Sequence, residues 1–282
     1  TIAVLMYAMF LQIPFLNLKD GLHNKPFMAA LLVANFVLIP LLVWGLTRFL
    51  DGHPAILIGV LLVLLTPCID YVVVFTHIGR GDSRLILSAT PILLLLQLAL
   101  LPLYLGLMLS DTSGVVVSIG PFVEAFLALI VAPLILALLT EALVKRSAAV
   151  KTWADAWAWL PVPAMAAVLV AVVGSQIAPV GNEIDRLAPV LPVYIAFAFL
   201  APVIGALVSK VCRLPVRSAR AVIFSSSTRN SLVVLPLALA LPEELRGLAA
   251  AAVITQTLVE LVAELVYVRA VPAFLCRDRA GT

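Results

Sequence analysis

The chain is short of charge. Only 12% of its 282 residues are Asp, Glu, Lys or Arg, against about 25% in an ordinary soluble domain. That excludes a solvated globule of this length. Three cysteines, Cys68, Cys212 and Cys276, lie far apart and make no CxxC or Cys/His cluster, which argues against a disulfide framework or a zinc site. The net charge of +3 is too small to mark a nucleic-acid binder. No HExxH, P-loop or dinucleotide fingerprint occurs, and no nucleophile–base pair stands out, so an enzyme or a non-transporting receptor is disfavoured. No cofactor is expected. Residue 1 is threonine inside an apolar run, with no basic signal-peptide region before it. The expectation is that upstream residues have been lost.

What fills the chain is apolar: 63% of residues are hydrophobic. A helix needs roughly 20 apolar residues to cross a ~30 Å hydrocarbon core at ~1.5 Å per residue. Nine runs meet or approach this, at 1–16, 27–50, 55–78, 85–109, 115–144, 157–179, 189–209, 220–241 and 247–271. The sequence therefore predicts an all-α polytopic membrane protein.

Loop charge tests that count. Alternate connections carry Lys19 and Lys25, then Arg80 and Arg84, then Lys145, Arg146 and Lys151, then Lys210, Arg213, Arg217 and Arg220, and the tail adds Arg269, Arg277 and Arg279. The other connections hold Asp51, Asp111, Glu183, Asp185, Glu243 and Glu244, with Arg48, Arg186 and Arg246. Basic loops stay in the cytoplasm. The expected orientation puts the tail inside and residue 1 near the outer face; one missing upstream helix gives ten spans with both ends inside. Trp153, Trp157 and Trp159 beside Lys151 read either as an interfacial anchor or as a plain loop.

Polar residues inside spans are expensive and mark pathways. Span 55–78 contains Thr66-Pro67-Cys68-Ile69-Asp70, where Pro67 breaks the helix at mid-depth. A broken helix there must be buried or line a cavity. Span 220–241 contains Ser225-Ser226-Ser227-Thr228-Arg229-Asn230-Ser231. Arg229 is too deep to reach the surface and needs a partner, for which Asp70 is the candidate; an ion pair that only fixes packing is the alternative. Two interrupted polar helices in corresponding positions of the two halves point to inverted repeats. Spans two to four and the last three share one order, offset by roughly 160 residues. Gln256, Glu260 and Glu264 form a stripe on the last span, either a pathway or a packing seam. Glu124, Thr90 and Gln97 are further candidates for cavity lining or interhelical bonding, and His23, His53 and His77 read as interfacial.

Thr66-Pro67-Cys68 with Asp70, followed by Gly79-Arg80-Gly81-Asp82, resembles the fourth helix of the arsenite efflux permeases, of the bile acid/arsenite/riboflavin transporter superfamily. Glu260 resembles a carboxylate of that family's last helix. The resemblance assigns residue 1 to the second family helix. It implies a ten-helix, 5+5 inverted-repeat transporter with two broken crossing helices. Residues 1–26 and 110–188 would form a panel domain, and 27–109 and 189–282 the two halves of a core domain. It implies an integral protein of the plasma membrane, or bacterial inner membrane, exporting arsenite, with antimonite as a further candidate substrate, by proton antiport or without sodium. Cys68 would contact the metalloid, with Pro67, Asp70, Thr228, Arg229 and Asn230 around it, and Glu260, Asp70 or Glu264 would carry the proton. Glu260 is preferred, because Asp70 is expected to be tied to Arg229. The chain also departs from the pattern. Arg229-Asn230 stands where the bile-acid branch has Gln-Asn, and Ser225 stands where that branch has a sodium-binding glutamate. Val233 replaces a carboxylate of the arsenite branch. An arginine cannot ligate a cation, so the expectation is a built-in positive charge in place of sodium. The competing expectation is an organic-anion or bile-acid-type symporter in which Arg229 pairs with the substrate.

Overall fold

The computed structural model describes residues 7, 8, 10, 11, 24–50, 52–110, 124, 126–144, 152 and 187–277. Span 157–179, most of span 1–16, the outer part of span 115–144, His23, Trp153, Trp157, Trp159 and the basic cluster from Lys145 to Lys151 lie outside these residues. Every element among the described residues is helical.

The first long helix begins at α1 (Lys25–Val33), capped by Asn24, whose side chain accepts from the Phe27 N–H at 3.2 Å. It widens into a π turn at Ala34–Leu38 and continues as α2 (Ile39–Thr47). Pro40 lies just past the turn. Pro40 has no N–H to give Phe36 four residues back, and the Tyr104 hydroxyl donates to that carbonyl instead, at 2.6 Å. A half-helix, α3 (Pro54–Leu64), then stops before Pro67, and a second, α4 (Val72–Ile78), resumes the span. The Gly79–Asp82 turn closes α4, with Arg80 in the left-handed region at φ 58°. Helix α5 (Ser83–Ser110) follows, and α6 (Ala132–Val144) comes after a π turn at Leu127–Val131.

The second set repeats the first. A long helix, α7 (Val190–Val211), leads to two half-helices, α8 (Val216–Ser227) and α9 (Ser231–Leu239), and to a final long helix, α10 (Glu243–Ala270). Helix α10 starts four residues earlier than apolarity alone predicts. Pro242 caps it, and Glu243 and Glu244 suit the positive end of the helix dipole. Helices 25–50, 83–109 and 190–211 are long and apolar enough to cross a membrane, and each broken pair covers a further crossing length.

The repeat is visible at single residues. Pro202 in α7 strips a donor from Ala198, and the Tyr267 hydroxyl donates to that carbonyl. Pro40, Phe36 and Tyr104 in the first set match Pro202, Ala198 and Tyr267 in the second, 162 or 163 positions apart. Close packing needs small residues. A Cβ on Gly59 would lie 2.4 Å from the Ala249 carbonyl oxygen, so α3 and α10 touch backbone to backbone; one on Gly205 would lie 2.8 Å from Ile223 Cα, where α7 meets α8.

Candidate functional site

The two breaks cross. An isolated antiparallel bridge pairs Pro67 with Arg229. The Cys68 N–H donates to the Thr228 carbonyl at 3.0 Å, and the Asn230 N–H donates to the Thr66 carbonyl at 2.8 Å. Thr66-Pro67-Cys68 and Thr228-Arg229-Asn230 are thus related by a local two-fold, again 162 positions apart. The antiparallel bridge means that the two broken segments run in opposite directions where they cross. Backbone groups freed by the breaks satisfy one another there, which is what permits non-helical chain at membrane depth.

Arg229 is fully buried. One terminal nitrogen shares its two hydrogens among Asn35 Oδ1 at 2.8 Å and the Ser225 and Ser226 carbonyls at 2.7 Å each; the other reaches the Leu64 carbonyl at 3.4 Å. Its carbon lies 5.6 Å from the Phe197 ring centroid. Leu64, Ser225 and Ser226 end α3 and α8, where helix carbonyls lack partners and the dipole is negative. The guanidinium is therefore held by oxygen atoms and helix ends.

This corrects the expected ion pair. Asp70 forms no salt bridge with Arg229, and its Oδ2 is buried without a hydrogen-bond partner. The arginine side chain turns back toward the C-terminal ends of α3 and α8, while Asp70 lies past the crossing, at the entry to α4. The carboxylate that meets Arg229 is Glu260. Its Oε2 accepts from the Arg229 backbone N–H at 2.8 Å and from Gln256 Nε2 at 2.5 Å, and Tyr71 Oη lies 2.6 Å from its Oε1. Glu264, one turn on, lies 2.6 Å from the Thr228 hydroxyl.

Of the residues singled out by sequence, Pro67, Cys68, Thr228, Arg229, Asn230, Glu260 and Glu264 converge at the crossing; Asp70 stands beside it. Cys68 is sealed, with its sulfur facing the backbone of Asp70 and Val72. The Asn230 side chain caps α9 through the Val233 N–H at 3.2 Å. The Thr90 hydroxyl donates to Leu87, the carbonyl that Pro91 leaves free, at 2.8 Å. Both amide atoms of Gln97 are buried without partners. Glu124, His53 and His77 are exposed. Asn35 and Tyr71 were not anticipated. A lone asparagine in the middle of an apolar span was the available signal for the first, and adjacency to Asp70 for the second. A narrow pocket opens beside Glu260, bordered by Tyr194, Phe197, Ser227, Gln256 and Tyr267.

Half-helices that meet in mid-membrane around buried polar groups define an all-helical membrane transporter. The chain belongs to the Sodium Bile acid symporter family, whose model matches residues 1–182. That segment holds Pro67 and Cys68; Ser225 and Arg229 lie beyond it. No curated protein matches the chain.

Proposed function

We propose that the protein is a sodium-independent secondary transporter that exports arsenite, and antimonite with it, in exchange for protons. The observation that carries this is the placement of Arg229. A fixed guanidinium occupies the oxygen-lined junction of Asn35, α3 and α8, so the positive charge is supplied by the chain itself. The missing sodium carboxylate at Ser225 agrees with that: Ser225 contributes a backbone carbonyl to the guanidinium, and its hydroxyl accepts from Asn35 Nδ2 at 3.1 Å. Cys68 supports a soft, thiol-seeking substrate, because the bridge fixes its backbone at the crossing itself. In this reading the thiol is reached when the crossing opens to one side of the membrane.

The core comprises 27–109 and 189–282, and the panel 1–26 and 110–188. The Tyr7–Thr140 hydroxyl contact, 2.8 Å, joins the two panel segments. Substrate binds around Pro67, Cys68, Asp70, Thr228, Arg229 and Asn230. Glu260 carries the coupling proton. The basic loops orient the C-terminus to the cytoplasm of a bacterial inner membrane. An organic-anion symporter remains the second reading, favoured by the unpartnered Arg229 Nε. Against it, both terminal nitrogens already bond protein oxygens.

The test is growth of an arsenite-sensitive host. Wild type should confer resistance, and Cys68→Ser should lose it while membrane levels stay equal. Full resistance with Cys68→Ser, or none with wild type, contradicts the arsenite reading.

A further inference from the structure

Two hydroxyl groups at the crossing each face two oxygen atoms. Tyr71 Oη lies 2.9 Å from the Arg229 carbonyl and 2.6 Å from Glu260 Oε1. Thr228 Oγ1 lies 2.6 Å from the Phe224 carbonyl and 2.6 Å from Glu264 Oε1. A hydroxyl has one hydrogen to donate. With both carboxyls ionised, one oxygen–oxygen contact in each set has no hydrogen of its own. With both protonated, every contact closes. Glu260 then donates from Oε1 to Tyr71, which donates to the Arg229 carbonyl, while Oε2 keeps its two N–H donors. Glu264 donates to Thr228, which donates to Phe224. Charge balance agrees: Arg229 is one buried cation among Asp70, Glu260 and Glu264, and uncompensated buried charge is costly.

We propose that this conformation holds two protons, one on Glu260 Oε1 and one on Glu264 Oε1, and that Tyr71 and Thr228 are positioning residues tying each proton to a backbone carbonyl of the second broken helix. Loss of the Glu260 proton to water turns the Tyr71 hydrogen onto the carboxylate. The Arg229 carbonyl, at the bridge with Pro67, then loses its donor. Proton release thereby loosens a tie between the two halves. The groups facing the two carboxyls are Tyr71 and Cys68 from the first break, Arg229 from the second, Tyr267 on α10 itself and Tyr194 on α7. The coupling consequence rests on the proton-exchange reading above; the protonation pattern does not.

Infrared absorption of the full chain in lipid nanodiscs at neutral pH, without substrate, tests it. Wild type minus E260Q and wild type minus E264Q should each show loss of one protonated-carboxyl C=O component. Glutamine keeps the donor and acceptor pattern of a protonated glutamate, so both variants retain the fold. Y71F should shift the Glu260 component and leave the Glu264 one, and T228V should do the reverse. An unchanged carboxyl region in both glutamine variants, or an unmoved Glu260 component in Y71F, overturns the proposal. Because no solute is added, a failure here leaves the growth test untouched, and a failed growth test leaves these bands in place.

Discussion

At the residue scale the governing fact is how Arg229 is made tolerable. Moving an isolated charge into an apolar interior costs tens of kcal/mol by Born solvation. Here it is offset by one side-chain amide and three carbonyls that the broken helices leave over. Asn35 is central, since it accepts from Arg229 and donates to Ser225 and to the Leu31 carbonyl. Asn35→Ala should cost about 1–3 kcal/mol, because it strands a buried donor; thermal unfolding in detergent measures it. Glu260→Gln keeps a hydrogen-bonding side chain but cannot release a proton. It should abolish pH-gradient-driven transport while solute binding persists, and retained gradient-driven efflux contradicts the coupling role. The sequence showed that Arg229 needed a buried partner but not which one. Sign and depth pointed to Asp70, whereas the choice depends on which way a side chain leaves a crossing, and only three-dimensional geometry decides that.

The elements owe their form to prolines placed against hydroxyls. Pro40 and Pro202 each free a carbonyl, and Tyr104 and Tyr267 each take it. Tyr104→Phe and Tyr267→Phe should each cost about 1–3 kcal/mol, the penalty of a stranded buried acceptor. Both losses should appear in the same unfolding assay and add, since the two sites share no partner. Gly59→Val should be more damaging still: its Cβ meets the Ala249 backbone at 2.4 Å, and backbone cannot move aside as a side chain can. The long apolar runs and both breaks were legible, because a proline in a span and an unbroken polar run are one-dimensional signals. The π turn at Ala34–Leu38 was not, since the hydroxyl that takes the freed Phe36 carbonyl comes from Tyr104, more than 60 positions away. The early start of α10 was hidden by its charged first turn.

Across the whole molecule, the two halves exchange their freed backbone groups at one bridge and share one guanidinium. Asn35 and α3 come from the first half, Arg229 and α8 from the second. Opening the crossing therefore has to move a charge together with its oxygen cradle, or break the cradle. The sequence carried the repeat only as an order of elements; the residue-level match at Thr66/Thr228 and Pro40/Pro202 needed the bridge to set the register. In the proposed reading the departure from a sodium-coupled pattern is a paired one, with Ser225 where a carboxylate is expected and Arg229 where a neutral side chain is expected. Restoring both, as Ser225→Glu with Arg229→Gln, should convert transport to sodium dependence, whereas Arg229→Gln alone should be inactive. The most direct test of the built-in cation is made on the unaltered protein. Arsenite flux is measured in proteoliposomes under a fixed pH gradient, with sodium or with an inert organic cation as the only other cation. Equal flux in both is the result the account predicts, and flux that requires or is stimulated by sodium contradicts it.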